Sequence, residues 1–133
     1  MNRHAPLVLA CLGVLLTRSL AAAADWPMWR CDVGRTAASP ESLPAELHLQ
    51  WTRELPRVQC AWPNESRLHF DTSYEPVVAG KTLFLGSPNE SSVTAYDTET
   101  GQQQWRFYAK GPVRFAPVMW QGKLYFGSDD GYL

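Results

Sequence analysis

The sequence predicts an all-β protein made of repeated antiparallel units, and three observations carry that expectation. The first is a period: Pro76 and Pro117, like Gly86 and Gly127, stand 41 residues apart. The second is composition. Six Trp, five Tyr and five Phe, with nine Gly and ten Pro, suit short strands joined by tight turns. The third is the stretch Ala95 to Trp105, AYDTETGQQQW, whose ends have strand character and whose middle is a turn.

Taken from the start, residues 1–24 predict a secretory signal peptide. Arg3 supplies the positive end, Leu7 to Leu16 the apolar centre, and Ala21 to Ala24 the small residues before a cut between Ala24 and Asp25. A membrane span is the competing reading, but the apolar run is shorter than the roughly 20 residues a span needs, and Arg18 interrupts it. A lipobox at Leu9, Ala10 and Cys11 would have only a very short apolar stretch before it.

Residues 25–46 read as an extended lead-in and a loop. In DWPMWRCDVGR, Trp26 and Trp29 flank Pro27, which prevents a helix face. Packing across the neighbouring strands and an aromatic ligand platform are the two readings of that pair. Leu47, Leu49 and Trp51 then alternate with polar residues, so 47–54 is expected to be a strand.

Residues 57–71 interrupt the repeat. Trp51 precedes Pro76 by 25 residues while Trp105 precedes Pro117 by 12, so an insertion of about 13 residues sits here. Loops on rigid scaffolds are where function collects. This one contains Cys60, Trp62, Asn64, Arg67, His69 and Asp71. Asn64 and Asn89 each begin a glycosylation sequon, a pattern short enough to recur by chance.

The first complete unit is expected over 75–108 and a second, incomplete one over 115–133. Leu83 and Leu85 match Leu124 and Phe126, while Phe84 matches Tyr125 on the opposite face. A slip of one residue would turn all of these over, so the agreement of register is informative beyond composition. A period near 41 is that of a β-propeller. Asp129 and Asp130 precede Gly131 and read as a solvated turn rather than as calcium ligands.

Within the hairpin, Ala95, Asp97, Thr100, Gly101 and Trp105 form the pattern AxDxxTGxxxW. Asp97 is suited to hold backbone amides further along the turn, and Gly101 to adopt a positive φ. Trp105 offers a large flat surface for packing.

The pattern resembles the tryptophan-docking motif of quinoprotein-type β-propellers. That group includes PQQ-dependent alcohol dehydrogenases and non-enzymatic relatives such as the outer-membrane assembly lipoprotein. The resemblance implies four-stranded blades, with each motif's Trp docked on the adjacent blade. It implies that Leu47 to Glu54 is a ring-closing strand, and that the chain is the N-terminal part of a larger ring, about one and a half blades of it. Burial of Trp105 between blades implies a loss of roughly 3–5 kcal/mol for Trp105→Ala.

The formal net charge is −1, and loss of residues 1–24 removes two arginines and no acidic residue, so no basic footprint for nucleic acid is expected. Cys31 and Cys60 remain after the leader; a bridge between them and two separate thiols are both open readings. His48 and His69 lack the spacing of zinc sites or of a nucleophile and its base. No catalytic, cofactor-binding or metal-binding residue is assigned.

PQQ with calcium enters only through the resemblance, and the adjacent cysteines of those dehydrogenases have no counterpart here. The expected function is therefore that of an exported, non-enzymatic binding or scaffold module. Its partner would be a protein or glycan in the envelope or outside the cell, making it secreted or periplasmic, with no transmembrane span in the mature chain. The alternatives are a PQQ- and calcium-dependent alcohol dehydrogenase, or a propeller module fused to a catalytic domain.

Overall fold

The computed structural model describes residues 24–70 and 73–133. The expected signal peptide, except Ala24, and Asp71 of the insertion lie outside the described residues. The strands are β1 (Val77–Ala79), β2 (Thr82–Ser87), β3 (Ser92–Asp97), β4 (Gln103–Tyr108), β5 (Val118–Trp120) and β6 (Lys123–Tyr125), preceded by a single 3-10 turn at Ser66–Leu68. β1 to β4 form one antiparallel sheet in chain order, and β5 and β6 form a separate hairpin. The protein is all-β among the described residues, with sheets of four and two strands.

The two hairpins that open the repeats each turn through two residues. Ala79 pairs with Thr82 around Gly80 and Lys81, and Trp120 pairs with Lys123 around Gln121 and Gly122. In the second turn both central residues have positive φ, 47° and 72°, the geometry that matches strand twist in a two-residue loop.

One row of side chains crosses the first sheet. Val77 lies opposite Phe84, Phe84 opposite Ala95, and Ala95 opposite Trp105. The first three form a buried cluster, and Met119 and Leu124 of the second hairpin pack against it. Period-2 alternation thus turns one face of the first sheet toward the second hairpin. Phe107, two residues beyond Trp105, meets Phe126 edge-on at 5.7 Å.

The lead-in joins the two units at their first strands. Trp26 and Val78 exchange both backbone hydrogen bonds at 2.8 Å, and the Met119 amide donates to the Pro27 carbonyl at 2.7 Å. Pro27 has no amide to offer, but its carbonyl suffices for this contact. Asp25, at the expected cleavage point, accepts from the Gly80 amide at 2.7 Å.

Residues 47–54, expected as a ring-closing strand, pair with no strand among the described residues, and Leu47 and Leu49 are exposed. Alternation prepares a segment for a sheet, but a strand also needs a neighbour to receive its amides and carbonyls. None runs beside this segment among the described residues. It instead follows the face of the first sheet opposite the buried row, where the Arg53 guanidinium lies 4.7 Å from the Tyr96 ring.

Candidate functional site

The hairpin motif builds a rigid turn. Asp97 Oδ1 accepts from the Glu99 amide (3.0 Å), the Thr100 amide (2.8 Å) and the Thr100 hydroxyl (2.9 Å). Those bonds favour the ionised form, led by the Thr100 amide, so the carboxyl titrates below its ordinary 3.8. Gly101 has φ +68°, as the turn requires. Ala95 is fully buried, and the β3–β4 register shifts between it and Tyr96.

Trp51 docks on this turn. Its Nε1 donates to the Thr98 carbonyl at 2.8 Å, and its ring covers Gly101, where an added Cβ would stand 2.6 Å from Cδ2. Arg53 Nη1 donates to the Gly101 carbonyl at 3.0 Å. Trp105 lies against Phe84 with ring centroids 5.8 Å apart and keeps 42% of its surface exposed. No second hairpin turn covers Trp105 among the described residues.

The insertion is clamped at both ends. At its base, the Asn89 side chain accepts from the Gln59 amide (3.1 Å) and donates to the Arg57 carbonyl (2.8 Å), so this sequon asparagine has a structural task. At its far end, Arg114 donates to the Leu68 carbonyl and to Asp129, each at 3.1 Å, and its guanidinium sits 4.3 Å from the Phe70 ring. Trp62 Nε1 donates to the same Asp129 oxygen at 2.6 Å. Asp129 thus anchors the insertion and is more than a solvated turn residue. His69 contacts the Pro63 carbonyl at 3.0 Å.

Between the lead-in, the insertion and the segment before β5 lies an open groove of about 680 Å³. Trp29, Phe70 and Phe115 line it, each roughly half exposed, together with Asp32, Arg35 and Glu75. Phe70 and Phe115 stack nearly parallel, 5.4 Å apart with an 18° interplanar angle. Glu75 accepts from the Ala116 amide at 3.1 Å, linking positions one repeat apart.

The lead-in holds an unusual backbone beside this groove. Arg30, Cys31, Arg35 and Ala37 all have positive φ, a region that residues with a Cβ enter at a cost. Asp32 supports the bend by accepting from the Thr36 amide and hydroxyl, which holds its carboxyl below the ordinary range. Arg30 and Arg35 both lie over the Trp29 ring, at 5.5 and 4.9 Å. Cys31 and Cys60 are free, partly buried cysteines.

Sequence reasoning missed Glu75, Arg114 and Asp129 as members of one site. Nothing local marked them, because the Arg114 bonds span 46 and 15 positions of the chain.

No family model, curated protein or solved structure matches this chain. Among the described residues, no group of three or more His, Cys, Asp or Glu is placed to hold a metal. The two groove carboxylates already serve Thr36 and Ala116. Two carboxylates fall short of the six to eight oxygens that calcium takes. No helix among the described residues is long and apolar enough to cross a membrane.

Proposed function

We propose that this chain forms part of an exported, quinoprotein-like β-propeller, secreted or periplasmic, that acts as a binding or scaffold module rather than as an enzyme. Its partner is a protein or glycan of the envelope or the exterior. The docking of Trp51 on the Asp97–Gly101 turn supports the propeller reading, since it is an indole of one segment seated on the hairpin of the next.

The observation that carries the binding reading is the clamped insertion. Arg114, only 6% exposed in its side chain, ties the 57–70 loop to the body of the protein and so holds an aromatic groove open to solvent. A preorganised concave surface with aromatic walls and a few polar groups is what recognition uses.

The test is crosslinking of the full chain in intact envelopes, compared with a variant whose 57–70 segment is replaced by a short glycine-serine link. Adducts that depend on the insertion support the proposal. Dye-linked alcohol oxidation on addition of PQQ and calcium would overturn it.

A further inference from the structure

We infer that the groove between Trp29, Phe70 and Phe115 is a binding site for a neutral oligosaccharide, an inference that rests on the binding-module reading. Three observations point to that class of ligand.

The first is the aromatic surface. Phe70 and Phe115 form a strip of two stacked rings with nearly parallel planes, each about half exposed, aromatic surface of the kind on which the C–H faces of a pyranose ring pack. The strip is held in place before any ligand arrives: the Arg114 guanidinium backs Phe70 at 4.3 Å and is itself bonded to Asp129 and the Leu68 carbonyl. Such preorganisation lowers the entropic cost of binding.

The second is charge. Asp32 and Glu75 oppose Arg35 and Arg114 around the groove, so the lining has no net sign. An anionic or cationic ligand would find no complementary field, whereas an uncharged one with many hydroxyls finds both acceptors and donors. Glu75 commits one oxygen to the Ala116 amide, and the other has acceptor capacity left for hydroxyl groups.

The third excludes the main competitor. An extended peptide would bind here by adding a strand to β1 or β5, but the groups it would need are taken. Val78 is paired in both directions with Trp26, and the Met119 amide is bonded to the Pro27 carbonyl. The lead-in occupies the edges that strand addition requires.

The experiment is saturation-transfer NMR and calorimetry on the full exported chain. The probes are maltohexaose, cellohexaose and chitohexaose, with hexagalacturonate and a blocked apolar hexapeptide as the charged and peptide arms. At least one neutral hexasaccharide is expected to bind, with Phe115→Ala and Glu75→Gln each weakening it by tenfold or more. Both side chains are at the surface of the groove, and an unchanged Tm in each variant shows that the fold is retained. Binding of hexagalacturonate alone, binding of the peptide alone, no binding at millimolar concentration, or neutral binding indifferent to both variants would each overturn the inference. Insertion-dependent crosslinks without saccharide binding would remove the glycan and leave the binding module standing. Loss of both would remove both.

Discussion

The indole of Trp51 covers Gly101 so closely that no side chain fits between them: a Cβ there would stand 2.6 Å from Trp51 Cδ2. The same indole donates to the Thr98 carbonyl, so one residue grips the turn by surface and by hydrogen bond.

Replacing Trp51 should therefore cost more than replacing Trp105. Trp51→Ala is expected to lose about 2–3 kcal/mol, and Trp51→Phe about 1 kcal/mol for the hydrogen bond alone. Trp105→Ala, with two-fifths of its surface exposed, is expected to lose only about 1–2 kcal/mol. Urea denaturation of the full chain measures all three, and the reverse order would show that Trp105 is the principal dock.

Gly101→Ala tests the contact from the other side. Its φ of +68° costs an alanine about 1 kcal/mol whatever its surroundings, and the indole adds steric overlap. In a Trp51→Ala background the overlap is gone, so the two changes should be less than additive by about 1 kcal/mol or more. Simple additivity in the double-mutant cycle would separate the two residues energetically.

The Asp97 turn predicts a particular acid limb. Hydrogen bonds from Thr100 and Glu99 depress the carboxyl below 3.8 in the folded chain, so on acidification the unfolded chain takes up the proton first. The stabilisation is complete above the ordinary aspartate range and is lost as pH falls from about 4 through the folded value. The Tm difference between the native chain and Asp97→Asn should thus narrow between pH 5 and pH 3. A constant difference would mean that the charge contributes nothing.

Arg114→Met removes the clamp on the insertion. The guanidinium is nearly buried and its partner Asp129 is 23% exposed, so the loss should be roughly 2–4 kcal/mol, much of it from leaving Asp129 without its cation. Limited proteolysis should then cut within 57–70 faster than in the native chain, while the 75–108 sheet stays protected. Equal cleavage rates would show that Asn89 and Trp62 hold the loop without Arg114.

Much of the first unit was legible because its determinants are local. Alternation placed β2, β3 and β4, Gly80 and Gly101 marked the turns before β2 and β4, and Asp97 with Thr100 specified a hairpin within five residues. The 41-residue offset likewise placed a second hairpin at β5 and β6, although β6 ends at Tyr125, short of the expected Ser128. The strand expected at 47–54 has no ladder partner among the described residues, and alternation describes one edge of a ladder without naming its partner.

The sequence by itself determined the all-β character and which residues of each strand share a face, since both follow from side-chain periodicity and turn chemistry within a few residues. Tertiary structure alone decided that Trp51 covers the turn, that Asn89 ties down the insertion, and that Phe70, Phe115 and Glu75 share a groove. Those contacts join residues tens of positions apart, and nothing in a local pattern encodes which distant surfaces will be left for one another once the strands have paired.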